Sequence, residues 1–243
     1  MTSISVIVPA YNEQDNLKSL VENISQTLSG LGELEIVVVD DCSTDNTREI
    51  CSILKQSNPE LTYLRHRKNA GQSASVFTGV KHARFDLIAT LDGDGQNPPT
   101  EILKLIDAHQ QCSGDKSKTL FAGHRQGRQD PWIKLISSKI ANNIRRKLLR
   151  DDCPDTGCGL KLFHKATFLA LPHFNHMHRF LPALYKRNGY DVVNVPITHA
   201  ARQFGVSKYN TLGRLRVGIV DLLGVAWLAR RPCNPSIEET IHE

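Results

Sequence analysis

The sequence predicts an α/β fold, a mostly parallel sheet flanked by helices. Three observations predict it. Short apolar runs alternate with stretches of helical periodicity along the first half of the chain. Polar sets follow three of those runs directly, at Pro9–Glu13, Asp40-Asp41 and Asp92–Gln96, where sheets of this class bind ligands. The chain has 243 residues, 40% of them hydrophobic and 23% charged, enough for one large α/β domain with a real core.

Ile4 to Val8 is the first expected strand, and Pro9–Glu13 the turn that follows it. Asn16 to Leu28 carries Leu17, Leu20, Val21, Ile24 and Leu28 at helical spacing. Glu35 to Val39 is the second strand, ending in Asp40-Asp41. Ser43, Thr44, Asp45 and Asn46 are helix-capping types, so a helix follows to about Lys55. Thr62 to Leu64 is a short third strand, and Gly71-Gln72-Ser73 opens a helix to about Ala83. Leu87 to Leu91 is a strand of the doubly covered kind. A helix from Glu101 to about His109 and a strand at Leu120 to Ala122 complete the regular alternation.

The stretch between these last two strands carries the chemistry. In DLIATLDGDGQNPP, Asp86 to Pro99, the oxygen-bearing residues Asp92, Asp94 and Gln96 stand at alternate positions with Gly93 and Gly95 between them. Extended chain would put the three side chains on one face. Two carboxylates and an amide oxygen suit a hard cation, Mg²⁺ or Mn²⁺, that also binds a diphosphate. The bland alternative is a solvated acidic turn. Three acidic groups on one rim repel one another unless a cation or a hydrogen-bonding ligand joins them. No GxGxxG follows the first strand and no GxxxxGK[ST] occurs, so dinucleotide and P-loop sites are disfavoured. Asp40-Asp41 with Lys161 would suit a phosphorylation receiver, but the chain is about twice that size and Asp92–Gln96 would go unexplained.

The net charge of +5 is mild and suits an anionic small molecule or membrane surface. No basic-aromatic interleaving points to nucleic acid. Six cysteines form no CxxC pair and no zinc spacing, so idle thiols in a reducing cytosol are expected. No signal peptide and no membrane span is expected. From Gly123 to Arg150 eight Lys or Arg face one Asp, with Trp132, Ile136, Ile140, Ile144 and Leu148 interleaved. That pattern is a basic amphipathic helix at a membrane surface, or a solvated basic face of a soluble protein. Leu212 to Ala229 is apolar around most of its circumference and flanked by Arg214, Arg216, Arg230 and Arg231.

Six motifs occur together and in order: PAYNE (Pro9–Glu13), VVVDDCSTDNT (Val37–Thr47), NAGQSASVFTGV (Asn69–Val80), LDGDGQNPP (Leu91–Pro99), DTGCGLKLF (Asp155–Phe163) and HAARQFGVSKYN (His199–Asn210). Over roughly residues 3 to 231 the chain resembles the inverting family-2 glycosyltransferases of GT-A fold, and more narrowly their dolichyl-phosphate mannosyltransferase and polyprenyl-phosphate glycosyltransferase branch. The resemblance implies a GT-A (Rossmann-like) domain over residues 1–231, with interface helices at about 132–150 and 211–230, and a disordered tail at 232–243. It implies a sugar moved from a nucleotide sugar, GDP-mannose or a UDP-sugar, to a polyprenyl phosphate, dolichyl or undecaprenyl, on the cytoplasmic membrane face. Pro9, Tyr11, Glu13, Val38, Asp40, Gln72 and Asp92 would bind the nucleotide sugar. Asp92, Asp94 and Gln96 would hold Mg²⁺ or Mn²⁺. Asp94, Arg125, Arg202 and Lys208 would serve catalysis, and Arg125, Ser138, Arg202 and Lys208 the acceptor phosphate, with Asn142 a further candidate. The branch usually has alanine between the two aspartates; Gly93 replaces it here.

Asp155 stays open at this point: a general base for a sugar hydroxyl, a carboxylate that holds a cationic side chain, or a turn cap. Some relatives continue into transmembrane helices, so peripheral contact, a membrane-protein partner or a homo-oligomer is expected instead. Two alternatives remain beside lipid-phosphate glycosylation: a family-2 enzyme acting on a glycan hydroxyl, and a non-catalytic nucleotide- or Mg²⁺-binding regulator.

Overall fold

A computed structural model describes residues 2–126, 142–198 and 211–231. Seven strands form one sheet: β1 (Ile4–Ala10), β2 (Leu34–Asp40), β3 (Leu61–Arg65), β4 (Leu87–Thr90), β5 (Thr119–Arg125), β6 (Lys161–His164) and β7 (Asp191–Ile197). Their order is β3-β2-β1-β4-β6-β5-β7. All neighbouring pairs are parallel except those of β6, which runs antiparallel to both β4 and β5. The first five strands lie where their apolar runs placed them. β6 and β7 were not anticipated: β6 is four residues long and is entered from a glycine-rich loop, and β7 carries exposed Asp191 and Pro196 among its valines.

The helices α1 (Leu17–Leu28), α2 (Thr47–Ser57), α3 (Gln72–His82) and α4 (Glu101–Gln111) follow strands β1 to β4. Residues 142–149 form α5, and α6 (Lys165–Leu169), α7 (Leu181–Arg187) and α8 (Thr211–Ala229) complete the set described. One core layer joins Leu17, Leu20, Val21, Ile24 and Leu28 of α1 and Ile102, Leu105 and Ile106 of α4 to one sheet face. The opposite face carries Ile7, Val37, Val39, Ile88 and Phe163 against Val76 and Val80 of α3 and Leu181, Leu184 and Tyr185 of α7. Burial of a large aliphatic side chain contributes about 1.5–3 kcal/mol, so the two layers fix the sheet on which the loops stand.

One helix expectation is revised. Arg145, read as part of a solvated basic face, is only 6% exposed, while Ile144 beside it is 54% exposed. The reason is Asp151, fully buried, which takes Arg145 Nε at 2.9 Å. The first part of the expected helix at 132–150, the loop His199–Asn210 and the tail 232–243 lie outside the described residues, and so do Ser138, Arg202 and Lys208.

Candidate active site

Four chain segments meet at the carboxyl ends of β1, β2, β4 and β5. Between β1 and β4 the strand order reverses, since β2 follows on one side and β4 on the other; such switch points open a crevice. The β1–α1 loop is laced to the β2–α2 loop. Asn12 N–H donates to Ser43 Oγ at 2.9 Å, Glu13 N–H to Thr47 Oγ1 at 3.1 Å, and Thr44 N–H to Asn12 Oδ1 at 2.8 Å. Asn12 holds a left-handed φ of 52° to do so.

The acidic pair after β2 divides its work. Asp40 is fully buried and accepts from Ser43 N–H at 2.7 Å and Tyr63 Oη–H at 2.6 Å, with Arg65 Nε at 3.3 Å. Asp41 accepts from Ala70 N–H at 2.8 Å and Gly71 N–H at 2.7 Å, and meets His66 Nδ1 at 2.7 Å. These bonds hold the turn in which Gly71 takes φ 88°, the conformation open to glycine. α3 starts from that turn. Its first residue, Gln72, donates through Nε2 to Asp92 Oδ1 at 2.7 Å. Asp41 thus sets Gln72, and Gln72 sets Asp92.

The Asp92–Gln96 segment is not extended as its alternation suggested. It turns at Gly93-Asp94, and Gly95 is left-handed at φ 69°. Asp94 Oδ1 accepts the Gln96 N–H at 3.2 Å. A Cβ at Gly93 would lie 2.9 Å from the Pro9 carbonyl oxygen, so the glycine lets this turn press against the end of β1. A Cβ at Gly159 would lie 2.2 Å from Cγ, Oδ1 and Oδ2 of Asp92, so that carboxylate rests directly on the Gly159 backbone. Burial and the neighbouring Asp94 push Asp92 up to about 6, against the pull of Lys161, Arg125 and Gln72. Two carboxylates in one turn, one of them reluctant to ionise, make a donor set suited to a hard divalent cation. No cluster of three or more His, Cys, Asp or Glu occurs among the described residues. A cation here would use Asp92, Asp94, the Gln96 amide and oxygens of a bound diphosphate.

Arg125 ends β5 on the same rim. Its Nε and Nη2 donate to Asp155 Oδ2 and Oδ1 at 2.7 and 2.8 Å. Burial opposes the guanidinium charge, Asp155 outweighs it, and the Arg125 pKa is raised. Behind Asp92, Lys161 is buried at 3% exposure, with Nζ donating to the Cys158 carbonyl. A cavity about the size of one water molecule lies there, lined by Gln72, Asp92, Lys161 and His178 among others.

The structure brings Pro9, Gln72, Asp92, Asp94 and Arg125 to this rim. It does not bring Val38, whose side chain is fully buried in the α1 core layer because it faces inward from mid-strand. Asp40 stands at the end of β2, its carboxylate held by Ser43, Tyr63 and Arg65. Tyr11 is 36% exposed beside the rim, and Glu13 accepts from Asn16 Nδ2 at 2.8 Å. Asn142 donates to the Pro154 carbonyl and accepts from Arg145, so it serves the Asp155 loop. Gly159 lies in the DTGCGLKLF motif without a role assigned to it, and Lys161 of the same motif enters the sequence reading only as a partner of Asp40-Asp41 in a receiver site.

A family model described as Glycosyl transferase family 2 matches residues 5–169. The undecaprenyl-phosphate 4-deoxy-4-formamido-L-arabinose transferase of Edwardsiella ictaluri (strain 93-146) is 31% identical over 211 residues. That alignment takes in 86% of this chain and 63% of that protein, so the chain spans less than two thirds of the relative's length. Among solved structures, glucosyl-3-phosphoglycerate synthase from Mycobacterium tuberculosis in complex with Mg²⁺ and uridine diphosphate superposes with a TM-score of 0.71. The identity is 17%, over 93% of this chain and 79% of that one. The same enzyme with Mn²⁺, uridine diphosphate and glucosyl-3-phosphoglycerate gives 0.68 at 15% identity, with the same shares covered.

Proposed function

Because this chain belongs to glycosyl transferase family 2 and folds as a GT-A sheet, we propose that it is an inverting glycosyltransferase that moves a sugar from a nucleotide sugar to a polyprenyl phosphate. Residues 1–231 would form the one catalytic unit. The observation that carries the reading is the pairing of opposite demands on one rim: the direct donor to Asp92 among the described residues is the neutral Gln72 amide, Asp94 opposes its ionisation, and Arg125 lies within electrostatic reach of it. The donor fits the uridine diphosphate of the solved neighbours, and the acceptor fits the lipid phosphate named for the curated relative.

Asp92, Asp94 and Gln96 would hold Mg²⁺ or Mn²⁺. A divalent cation supplies Lewis-acid neutralisation of the charge that grows on the leaving diphosphate. Gln72 orients Asp92, and the laced 9–16 and 40–47 loops, with Pro9, Tyr11 and Glu13, flank the nucleotide. Arg125, with Arg202, Lys208 and Ser138 in the same proposal, would gather the acceptor phosphate. The incoming phosphate oxygen is already anionic, so attack on the anomeric carbon needs no proton removed. The new carbon–oxygen bond forms as the bond to the diphosphate breaks, and the nucleoside diphosphate leaves with the electron pair.

No helix among the described residues is long and apolar enough to cross a membrane. α8 nevertheless leaves Val217, Ile219, Val220, Leu223 and Trp227 exposed, with Arg230 and Arg231 at its end, while Val225 and Ala226 pack inward. Together with exposed Ile144, Arg146 and Lys147 on α5, this supports peripheral contact with an anionic leaflet, on the cytoplasmic face where nucleotide sugars are found. Radiolabelled sugar from GDP-mannose and from a panel of UDP-sugars, supplied with polyprenyl phosphate and Mn²⁺, should enter an organic-extractable, mild-acid-labile lipid. Label that stays in the aqueous phase with every donor refutes the reading.

A further inference from the structure

The Arg125–Asp155 contact is built from two directions. On one side the ion pair is bidentate, at 2.7 and 2.8 Å, with the Arg125 backbone N–H adding a contact to Oδ2 at 3.3 Å. Both side chains are largely buried, 14% and 8% exposed. Gly157 sits under the guanidinium: a Cβ there would lie 3.3 Å from Arg125 Nη2. On the other side the loop that carries Asp155 is wrapped around Arg145. That buried guanidinium donates to Asp151, to Thr156 Oγ1, to the Cys153 carbonyl and to Asn142 Oδ1. Asn142 in turn donates to the Pro154 carbonyl at 3.1 Å. Residues 151, 153, 154 and 156 are therefore all pinned around position 155.

A bidentate carboxylate fixes the plane of a guanidinium as well as its position. Of the five N–H donors of an arginine, Asp155 engages two and leaves three for another anion. A general base needs its lone pairs directed at the proton to be removed. Here each carboxylate oxygen accepts an Arg125 N–H, at 2.7 and 2.8 Å, so the ion pair sets the plane of the carboxylate.

We propose that Asp155 is a positioning residue: it holds the Arg125 guanidinium at the end of β5 in the orientation that receives the phosphate monoester of the acceptor, and it takes no proton during transfer. This deepens the reading given above and rests on it. It narrows the acceptor to a group already ionised at neutral pH, whether on a lipid or on a small soluble molecule, and excludes a sugar hydroxyl activated by Asp155.

The test compares wild type, Asp155→Asn and Asp155→Glu with two acceptors, polyprenyl phosphate in detergent and glycerol 3-phosphate. The acceptor used by the wild type identifies the source of the phosphate. With that acceptor, Asp155→Asn should raise the acceptor KM about 10- to 100-fold, as removal of an orienting partner does elsewhere. kcat should change far less, the nucleotide Kd measured with Mn²⁺ should stay the same, and Asp155→Glu should recover part of the KM. An unchanged acceptor KM overturns the proposal. So does a kcat loss of about 10²- to 10⁴-fold together with disappearance of the acidic limb of the pH–rate profile, which is the mark of a base. Calorimetric binding of both phosphates without a sugar donor separates the two levels of the argument. If wild type transfers to neither acceptor yet binds phosphate more tightly than Asp155→Asn, the transfer reading fails and the positioning role stands. Equal binding by the two proteins overturns the positioning role.

Discussion

Gly159→Ala is the sharpest probe of the cation site, because the lesion falls on Asp92 and on little else. The new Cβ would stand 2.2 Å from all three carboxylate atoms of Asp92. Carbon contacts settle at about 3.5 Å, so the carboxylate must retreat by roughly 1.3 Å. The carboxylate would then leave the geometry in which Gln72 holds it at 2.7 Å. A displacement of about 1 Å at a reacting centre costs on the order of 10²-fold in rate. The backbone should tolerate the change, since Gly159 is not among the positive-φ glycines. The expected result is about a hundredfold loss of transfer, a raised Mn²⁺ half-saturation for nucleotide-dependent thermal stabilisation, and a melting temperature close to wild type without ligand. Wild-type Mn²⁺ half-saturation in a folded Gly159→Ala protein would show that Asp92 holds no cation, and the site would have to be rebuilt on other residues.

Other outcomes follow from packing and charge. Arg145→Met strands the buried Asp151 carboxylate and should lower unfolding free energy by about 3–5 kcal/mol; a urea midpoint equal to wild type would contradict this. Burial holds His109 and His164 below the ordinary imidazole value of 6.5, with their Nε2 atoms 3.2 Å apart. Their folded pKa values lie below the unfolded ones, so their contribution is complete above 6.5 and is lost as pH falls through the folded values. His164→Asn should therefore lose less melting temperature than wild type between about pH 7 and about pH 5, and equal losses would argue against it. Leu223→Ser with Trp227→Ala removes exposed apolar surface from α8 and should reduce cosedimentation with anionic vesicles while leaving the melting temperature in place.

The first five strands and the first four helices were legible because each buries a periodic apolar set against a sheet covered on both faces. β6 was not legible: four residues, KLFH, carry no alternation long enough to read. Arg145 misled for a different reason. Its spacing puts it among exposed Arg146 and Lys147, and only the fold shows that Asp151, six residues on, turns back to meet it. At the site, the alternation of Asp92, Asp94 and Gln96 suggested an extended backbone, whereas the chain turns there, since the glycines that permit close approach also permit a turn. Asp155 could not be decided from sequence, because a base and an ion-pair partner are the same residue type until the geometry of Arg125 is known.

The rim's negative charge is met residue by residue. Clustered carboxylates on one rim need compensation. Asp40 receives it from Tyr63, Arg65 and a backbone amide; Asp41 from two backbone amides and His66; Asp155 from Arg125. Each of these groups has direct polar partners suited to an anion. Asp92 differs. Among the described residues its direct donor is the neutral Gln72 amide, while Lys161 and Arg125 act on it without an ion pair, and Asp94 opposes its ionisation. If protein cations had fully answered Asp92, its carboxyl would lie below the ordinary value, whereas it is pushed up to about 6. Among the carboxylates described on this rim, Asp92 is the one held above its ordinary value, and it lies in the turn at the switch point of the sheet where the divalent ion is proposed.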